Sequence, residues 1–209
     1  MVQAVFYGDS VVTGWRGVDP RDRWSAIVSS QLGWSELNIA ADGVGFVRRR
    51  GRDRSDDGRP LGLLETVLAS PADYCIVSLG FNDAVISRSH EQPLRRAIRR
   101  DLTLLTRRFG PGRLAVMDLY SPFSVDYPPG WLAVRCFLRT EAAQLGLQLV
   151  PGLTDVIRED PSWLHEDGIH PNVYGHAALA ASAIHALERT FHDTTATTTS
   201  HAPSISDIR

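Results

Sequence analysis

Short runs of apolar residues recur along the chain without a clear alternation of apolar and polar positions. The runs read VQAVFY, SELNIA, DYCIVSLG, RLAVMDLY and LQLVPG. Short continuous runs are typical of strands that helices cover on both faces of a parallel sheet. Because the stretches between them have the character of helices, the pattern predicts alternating strands and helices. The expected fold is an α/β fold, a three-layer α/β/α sandwich on a five-stranded parallel sheet.

The clearest helical pattern extends from Pro93 to Phe109. Its apolar positions recur along one face while most of the arginines lie on the opposite face, and a proline suits the first turn of a helix. The apolar positions are Leu94, Ile98, Leu102, Leu105 and Phe109. Four further helices are predicted over residues 24–32, 61–69, 130–145 and 172–191.

The length and composition favour one folded domain followed by a polar tail. The chain has 209 residues, of which 43% are hydrophobic, and a chain of this size can bury most of the surface that it exposes when unfolded. Residues 1–191 are predicted to form the domain. Residues 192–209 are rich in Thr and Ser and poor in large apolar side chains, so we expect a disordered tail.

The charge balance narrows the range of partners. The formal net charge is −2, without the basic excess that binding to a phosphate backbone requires, and no apolar stretch approaches the roughly 20 residues that span a bilayer. We therefore expect a small-molecule substrate, no nucleic acid partner and no membrane insertion, and the oligomeric state stays open. The first residues lack the pattern of a secretory signal, so the expected location is cytoplasmic. Cys75 and Cys136 are expected to be reduced thiols.

The basic side chains are all arginine. The sequence contains 22 basic residues and no lysine, which excludes a Schiff base with a carbonyl substrate, a Ser-Lys dyad and a P-loop lysine. Six of the arginines lie in the charged segment from Arg48 to Pro60. This segment is predicted to be a solvated surface loop, with a mobile lid or an anion-attracting rim as the alternatives.

Polar residues follow the predicted strands at the ends where ligands bind in open parallel sheets. Gly8-Asp9-Ser10 follows the first strand, the segment 42–45 the second, the segment 80–83 the third, and a stretch with Asp167 and His170 the fifth. Asp9 and Asp83 are expected to brace their turns. The strand ends are therefore predicted to meet at one rim.

The residue types at this rim suit nucleophilic catalysis. A serine needs a base to take its proton, and the base needs a third group that orients it. Ser10 and His170 fit the first two roles, and Asp167 lies three positions before the histidine, within reach of one ring nitrogen. A tetrahedral oxyanion also needs donors, and the Ser10 amide, the Gly43 amide and the Asn82 side-chain amide are the candidates.

Four blocks in this order resemble the SGNH, or GDSL-type, serine hydrolase superfamily: GDS at 8–10, NIAADG at 38–43, GFND at 80–83 and DGIHPN at 167–172. The resemblance implies Ser10 as nucleophile and first oxyanion donor, Gly43 and Asn82 as further donors, and His170 with Asp167 as the base and its orienting group. It also implies a flavodoxin-like strand order 2-1-3-4-5 and hydrolysis without a metal or cofactor. Val11 follows the serine where the GDSL motif has leucine.

The predicted activity is cleavage of carboxylic esters through an acyl-enzyme, as in esterases, lipases and carbohydrate deacetylases. Transfer of the same acyl group to an alcohol, the acyltransferase reaction, is the close alternative. A metal-dependent hydrolase would use His165, Asp167, His170 and His176, and a noncatalytic flavodoxin-like binding module would use the loop glycines. His165 is otherwise expected at the surface and His176 packed or hydrogen-bonded. The side chains that could shape a pocket are Trp15, Arg16, Phe46, Phe81, Tyr120, Phe123, Tyr127 and Trp131.

Overall fold

The structure is a computed structural model, and it describes residues 1–15, 17–49, 62–123 and 127–197. Arg16, most of the charged segment 48–60 and the end of the predicted tail, residues 198–209, lie outside the described residues. The interpretations of the charged segment and of the tail therefore stay predictions.

The described residues form five strands that alternate with helices, as the apolar runs predict. The strands are β1 (Val2–Gly8), β2 (Trp34–Ala40), β3 (Tyr74–Ser78), β4 (Leu114–Met117) and β5 (Leu149–Val150). The helices are α1 (Ser10–Thr13), α2 (Trp24–Gln31), α3 (Leu63–Ala69), α4 (Glu91–Phe109), α5 (Pro129–Ala143) and α6 (Val173–Thr197). Helix α6 continues past Phe191, where the sequence predicted the tail to begin. Within the described residues, no helix is both long and apolar enough to cross a membrane.

All five strands run parallel in the order β2-β1-β3-β4-β5, which confirms the predicted flavodoxin-like order. At the carboxyl edge of the sheet, which carries the site, β1, β2 and β3 end at the same level. Gly8, the last residue of β1, pairs with Ala40 at the end of β2 and with Ser78 at the end of β3. The loops that carry Ser10, Gly43 and Asn82 therefore leave the sheet side by side.

Helices cover both faces of the sheet. Successive side chains of a strand point to opposite faces, and along β1 this alternation assigns Val5 and Tyr7 to one hydrophobic cluster and Ala4 and Phe6 to another. The first cluster includes buried residues of α3, α4 and α5, and the second includes buried residues of α2 and α6. The three-layer α/β/α sandwich is confirmed, and the absence of clear alternation in the strand sequences follows from burial on both faces.

Candidate active site

The predicted nucleophile, Ser10, lies at the first position of the short helix α1, directly after β1. The Asp9 side chain caps this helix by accepting a hydrogen bond from the Val11 amide over 3.0 Å. The backbone amide of Ser10 belongs to the first turn, where amides have no acceptor within the helix. Ser10 therefore places its hydroxyl and an amide of the first helical turn at the carboxyl edge of the sheet.

Three predicted residues form one hydrogen-bonded chain. His170 Nε2 lies 2.9 Å from Ser10 Oγ, and His170 Nδ1 lies 2.7 Å from Asp167 Oδ2. The tautomer that suits both contacts carries its proton on Nδ1 and leaves Nε2 free to accept the serine proton. This is the arrangement that a nucleophilic serine requires.

The loop that carries Asp167 and His170 is fixed by its own backbone. The His165 amide donates to the His170 carbonyl over 2.8 Å, and Asp167 Oδ1 accepts the amides of Ile169 and His170, each over 3.0 Å. Tyr120 adds an external anchor, because its hydroxyl donates to the Ile169 carbonyl over 2.7 Å.

These contacts also set the charge of Asp167. Partial burial acts to raise the pKa of its carboxyl, but the hydrogen bonds from the His170 ring and from the amides of His170 and Ile169 outweigh burial. They hold the pKa of Asp167 at about 2. Asp167 is therefore an anion at neutral pH and can stabilise a positive charge on the His170 ring.

Gly43, the predicted second oxyanion donor, lies in the loop after β2 with φ of +73°. This left-handed conformation favours glycine, and a Cβ at this position would come within 2.8 Å of the Arg49 guanidinium. The same loop is tied to α1, because the Thr13 hydroxyl donates to Asp42 Oδ1. The fold therefore brings the Gly43 segment to the helix that carries Ser10.

Asn82, the predicted third donor, reaches both neighbouring loops. Its Nδ2 donates to the Val44 carbonyl over 3.0 Å and to Asp9 Oδ2 over 3.3 Å. The side-chain amide thus lies at the junction of the loops that follow β1, β2 and β3. In the described conformation both of its hydrogens face acceptors of the protein itself, which the sequence did not predict.

Asp9 is a buried carboxyl beside this junction, with 2% of its surface exposed. Burial raises its pKa to about 7, with further increases from the carboxylates of Asp83 and Asp42, against the hydrogen bond from the Val11 amide. Its charge state therefore changes near neutral pH, although its sequence position gives no sign of this.

Asp83 organises the loop after β2. Its carboxylate accepts the amides of Phe46, Val47 and Arg48 over 2.7, 3.2 and 2.9 Å. Gly45 lies so close that a Cβ there would come within 2.5 Å of this carboxylate. The Asp83 side chain therefore braces the loop after β2, whereas the sequence predicted that it braces its own turn.

The other two histidines of residues 164–176, His165 and His176, do not belong to the hydrogen-bonded chain of Ser10, His170 and Asp167. His176 is buried and accepts the Trp24 amide at Nδ1 over 3.2 Å, and burial lowers its pKa to about 4. His165, which was expected at the surface, is half-buried, and its Nε2 is enclosed. Among the described residues, no group of three or more His, Cys, Asp or Glu side chains is placed to hold a metal ion.

A cavity of about 430 Å³ opens beside His170 and Asn82. Its walls come mainly from the turn after β3, the start of α5 and the loop before His170, and most of them are apolar. The lining residues are Arg48, Phe81, Asn82, Ala84, Val85, Phe123, Pro128, Gly130, Trp131, Ile169 and His170. A pocket of this size can enclose a small ligand.

Comparison with known proteins gives the chain its family. Residues 6–178 match the model of the GDSL-like lipase/acylhydrolase family, a span that contains every residue of the hydrogen-bonded chain described above. The chain belongs to this family. No curated protein matches it closely enough to add a more specific relationship.

Solved structures agree on the fold of this GDSL-like hydrolase. A lipolytic G-D-S-L protein of Veillonella parvula is 18% identical with a TM-score of 0.66, over 90% of this chain and 100% of its own. The psychrotrophic esterase EstA of a Pseudoalteromonas species is 15% identical with a TM-score of 0.66, over 92% and 100%. A family two carbohydrate esterase of Cellvibrio japonicus is 15% identical with a TM-score of 0.65, over 92% and 62%.

Family membership supports an ester-hydrolysing enzyme of the serine hydrolase type. Of the side chains expected to shape a pocket, Phe81, Phe123 and Trp131 line the cavity. Phe46 is buried in the core and Tyr127 stacks on Trp131. The sequence did not predict the apolar lining at Ala84, Val85, Pro128, Gly130 and Ile169, and it predicted Arg48 only as part of the charged segment. Val85 and Ile169 are 73% and 39% exposed. Exposed apolar side chains mark the cavity wall, but their exposure can be known only from the fold.

Proposed function

We propose that this GDSL-like hydrolase is a serine esterase that cleaves carboxylic esters through an acyl-enzyme intermediate. The observation that carries the proposal is the hydrogen-bonded chain from Ser10 through His170 to Asp167, placed beside an apolar cavity. Nucleophile, base and orienting group are within hydrogen-bond reach of one another, which is the geometric requirement for acyl transfer.

In the acylation step, Ser10 Oγ attacks the ester carbonyl carbon while His170 Nε2 takes the hydroxyl proton. The tetrahedral intermediate collapses when the same nitrogen gives that proton to the departing alkoxide, which leaves as an alcohol. The acyl group then remains on Ser10. Asp167 keeps the His170 ring in the required tautomer and stabilises its transient positive charge.

In the deacylation step, water attacks the acyl carbon while His170 takes one of its protons. Collapse of the second intermediate returns that proton to Ser10 Oγ and releases the carboxylic acid. The ester, one water molecule and the side chains named here balance both steps.

Three donors from neighbouring loops are proposed to stabilise the negative oxygen of both intermediates. They are the amides of Ser10 and Gly43 and the side-chain amide of Asn82. The Asn82 contact to Asp9, at 3.3 Å, is longer than its contact to Val44. We infer that the oxyanion takes the place of Asp9 as the acceptor of that hydrogen.

The apolar lining of the cavity favours substrates that are recognised through an apolar acyl group. The cavity offers aromatic and aliphatic surface beside His170, from Phe81, Val85, Phe123 and Trp131. Burying each additional methylene of an acyl chain contributes about 0.8 kcal/mol, so kcat/KM should rise with chain length until the cavity is filled.

A series of p-nitrophenyl esters from acetate to dodecanoate, with an acetylated sugar alongside, tests this proposal. We expect kcat/KM to increase over the short chains and then to level off or fall. Phe123→Ala should lower kcat/KM about tenfold for the best chain and little for acetate. Tyr174→Ala is the matched control, since Tyr174 is 70% exposed and does not line the cavity. Equal rates for all chain lengths, or a preference for the acetylated sugar, would overturn the apolar acyl specificity.

A further inference from the structure

Trp15 is tied to the segment that carries the nucleophile. It follows α1 by way of Gly14, which ends the helix in the left-handed conformation with φ of +72°. The Trp15 amide donates to the Ser10 carbonyl over 3.3 Å. The position of the indole is therefore coupled to the position of the serine.

The indole of Trp15 stacks on the imidazole of His170. The ring centroids lie 3.8 Å apart and the ring planes differ by 23°. The two nitrogens of the same imidazole contact Asp167 and Ser10. The ring is thus held at both nitrogens and across one face, by residues from two separate parts of the chain.

The stack distinguishes between the two protonation states of His170. An aromatic face attracts a cation lying over it and has much less attraction for a neutral ring. In the proposed reaction His170 is neutral before attack and positively charged when the tetrahedral intermediate forms. An interaction that strengthens with this charge lowers the barrier, because it is greater in the transition state than in the resting enzyme.

Other titratable and charged groups surround this part of the site. Asp167 contacts the ring directly, and the ring centroids of His165 and Trp15 lie 6.4 Å apart in an edge-to-face arrangement. His176 and Arg23 interact with His170 or its neighbours through longer-range electrostatics, and burial keeps His176 neutral near pH 7. On the side of the anchoring loop, burial raises the pKa of Tyr120, and the carboxylates of Asp9 and Asp167 raise it further. None of these contacts provides the stacked aromatic surface that Trp15 does.

We propose that Trp15 is a positioning residue that holds the His170 ring by stacking and favours its protonated form during ester cleavage. The role in ester cleavage rests on the proposed function. The stacking contact itself is a property of the resting protein and can be tested without substrate.

The test compares Trp15→Leu and Trp15→Phe with the unmodified chain. In Trp15→Leu, kcat should fall about 5- to 30-fold with little change in KM, the size expected for loss of a cation–π contact. The acid limb of the pH profile of kcat/KM should move toward lower pH, because removing the stack makes the protonated ring easier to deprotonate. Trp15→Phe should show a much smaller loss of kcat and a much smaller shift of the pH profile, since it keeps an aromatic face.

The titration of the His170 ring, followed by NMR without substrate, provides a readout independent of activity. We expect its midpoint to move to lower pH in Trp15→Leu and less in Trp15→Phe. An unchanged midpoint in a folded Trp15→Leu variant would overturn the proposal, even if the rate fell. If Trp15→Leu does not fold, Trp15→Met, which also lacks an aromatic face, replaces it in the same comparison. Full activity of Ser10→Ala would instead overturn the esterase mechanism. The NMR titration would then be the test of the stacking contact.

Discussion

His170 Nε2 lies 2.9 Å from Ser10 Oγ, although the two residues are separated by 160 positions in the chain. The contact joins the loop after β1 to the loop before α6. It exists because β1 holds Ser10 at the carboxyl edge of the sheet while the last loop, anchored by Tyr120, extends His170 across the same edge. The chemistry proposed for this protein depends on that single contact more than on any other.

Replacing Ser10 by alanine should reduce turnover of the best p-nitrophenyl ester by about four decades or more, because no other group takes over the attack. The variant should unfold at nearly the temperature of the unmodified chain, since it loses only one hydroxyl. Both quantities can be measured on the same preparation. Ser29→Ala is a suitable control, because Ser29 is also a buried serine but lies in α2. Near-native turnover in Ser10→Ala would end the proposal.

The rate should depend on pH as a neutral histidine base requires. We expect kcat/KM to climb as the pH rises and the His170 ring loses its proton, because only the neutral ring can accept the serine proton. Asp167 cannot produce this rise, because its pKa is about 2. Asp167→Asn should keep the fold and lower kcat by up to about four decades, since the ring then loses its orienting anion.

The buried carboxyl of Asp9 also titrates, with a pKa of about 7, so the pH profile needs its own control. The rise in kcat/KM should persist in Asp9→Asn if His170 is its source. A flat profile between pH 5 and 8 in the unmodified chain, with acylation shown to limit the rate, would contradict the role of His170.

Removing the side-chain donor should affect the transition state rather than binding. Asn82→Ala is expected to lower kcat by about a hundredfold to a thousandfold with little change in KM. Ser10 should still be labelled slowly by a fluorophosphonate, since the serine and its base remain. Asn82→Asp should be at least as damaging, because a carboxylate would repel the developing oxyanion. A variant that kept its kcat and only raised KM would make Asn82 a substrate-binding residue.

The buried carboxyl of Asp9 should make stability depend on pH. Its pKa is about 7 in the folded protein and near 3.8 when exposed, so between these values the folded state holds a proton that the unfolded state has lost. Its contribution to the free energy of unfolding therefore falls as pH rises from about 4 to 7. Asp9→Asn removes this titration, so the stability of the variant relative to the unmodified chain should be greater at pH 8 than at pH 5.

Chemical denaturation at both pH values measures this difference directly. Asp22→Asn, at an exposed position, controls for a general effect of removing a negative charge. A difference between Asp9→Asn and the unmodified chain that does not change with pH would show that Asp9 is not the group that titrates.

Local sequence patterns were sufficient for the alternation of strands and helices and for the layers, whereas the strand order was implied by the resemblance to the SGNH superfamily. Buried strands of a parallel sheet have short apolar runs, and an amphipathic helix such as α4 shows its apolar face in its spacing, so both can be recognised without knowing what packs against them. The residues of the hydrogen-bonded chain were also predictable, because Ser10, Asp167 and His170 occur in short motifs. The end of α6 was less predictable, because the helix continues past Phe191 into polar residues whose local pattern does not indicate a helix.

Only the tertiary structure decided which partners these residues have. The two acceptors of Asn82, the burial that shifts the pKa of Asp9, the stacking of Trp15 on His170 and the apolar wall at Val85 and Ile169 all depend on contacts between distant segments. The sequence by itself determined which elements form and which chemical groups the chain carries, because those follow from neighbouring residues. Packing of the sheet edge against α5 and the last loop determined their distances, burial and charge, because these depend on long-range contacts that no local pattern encodes.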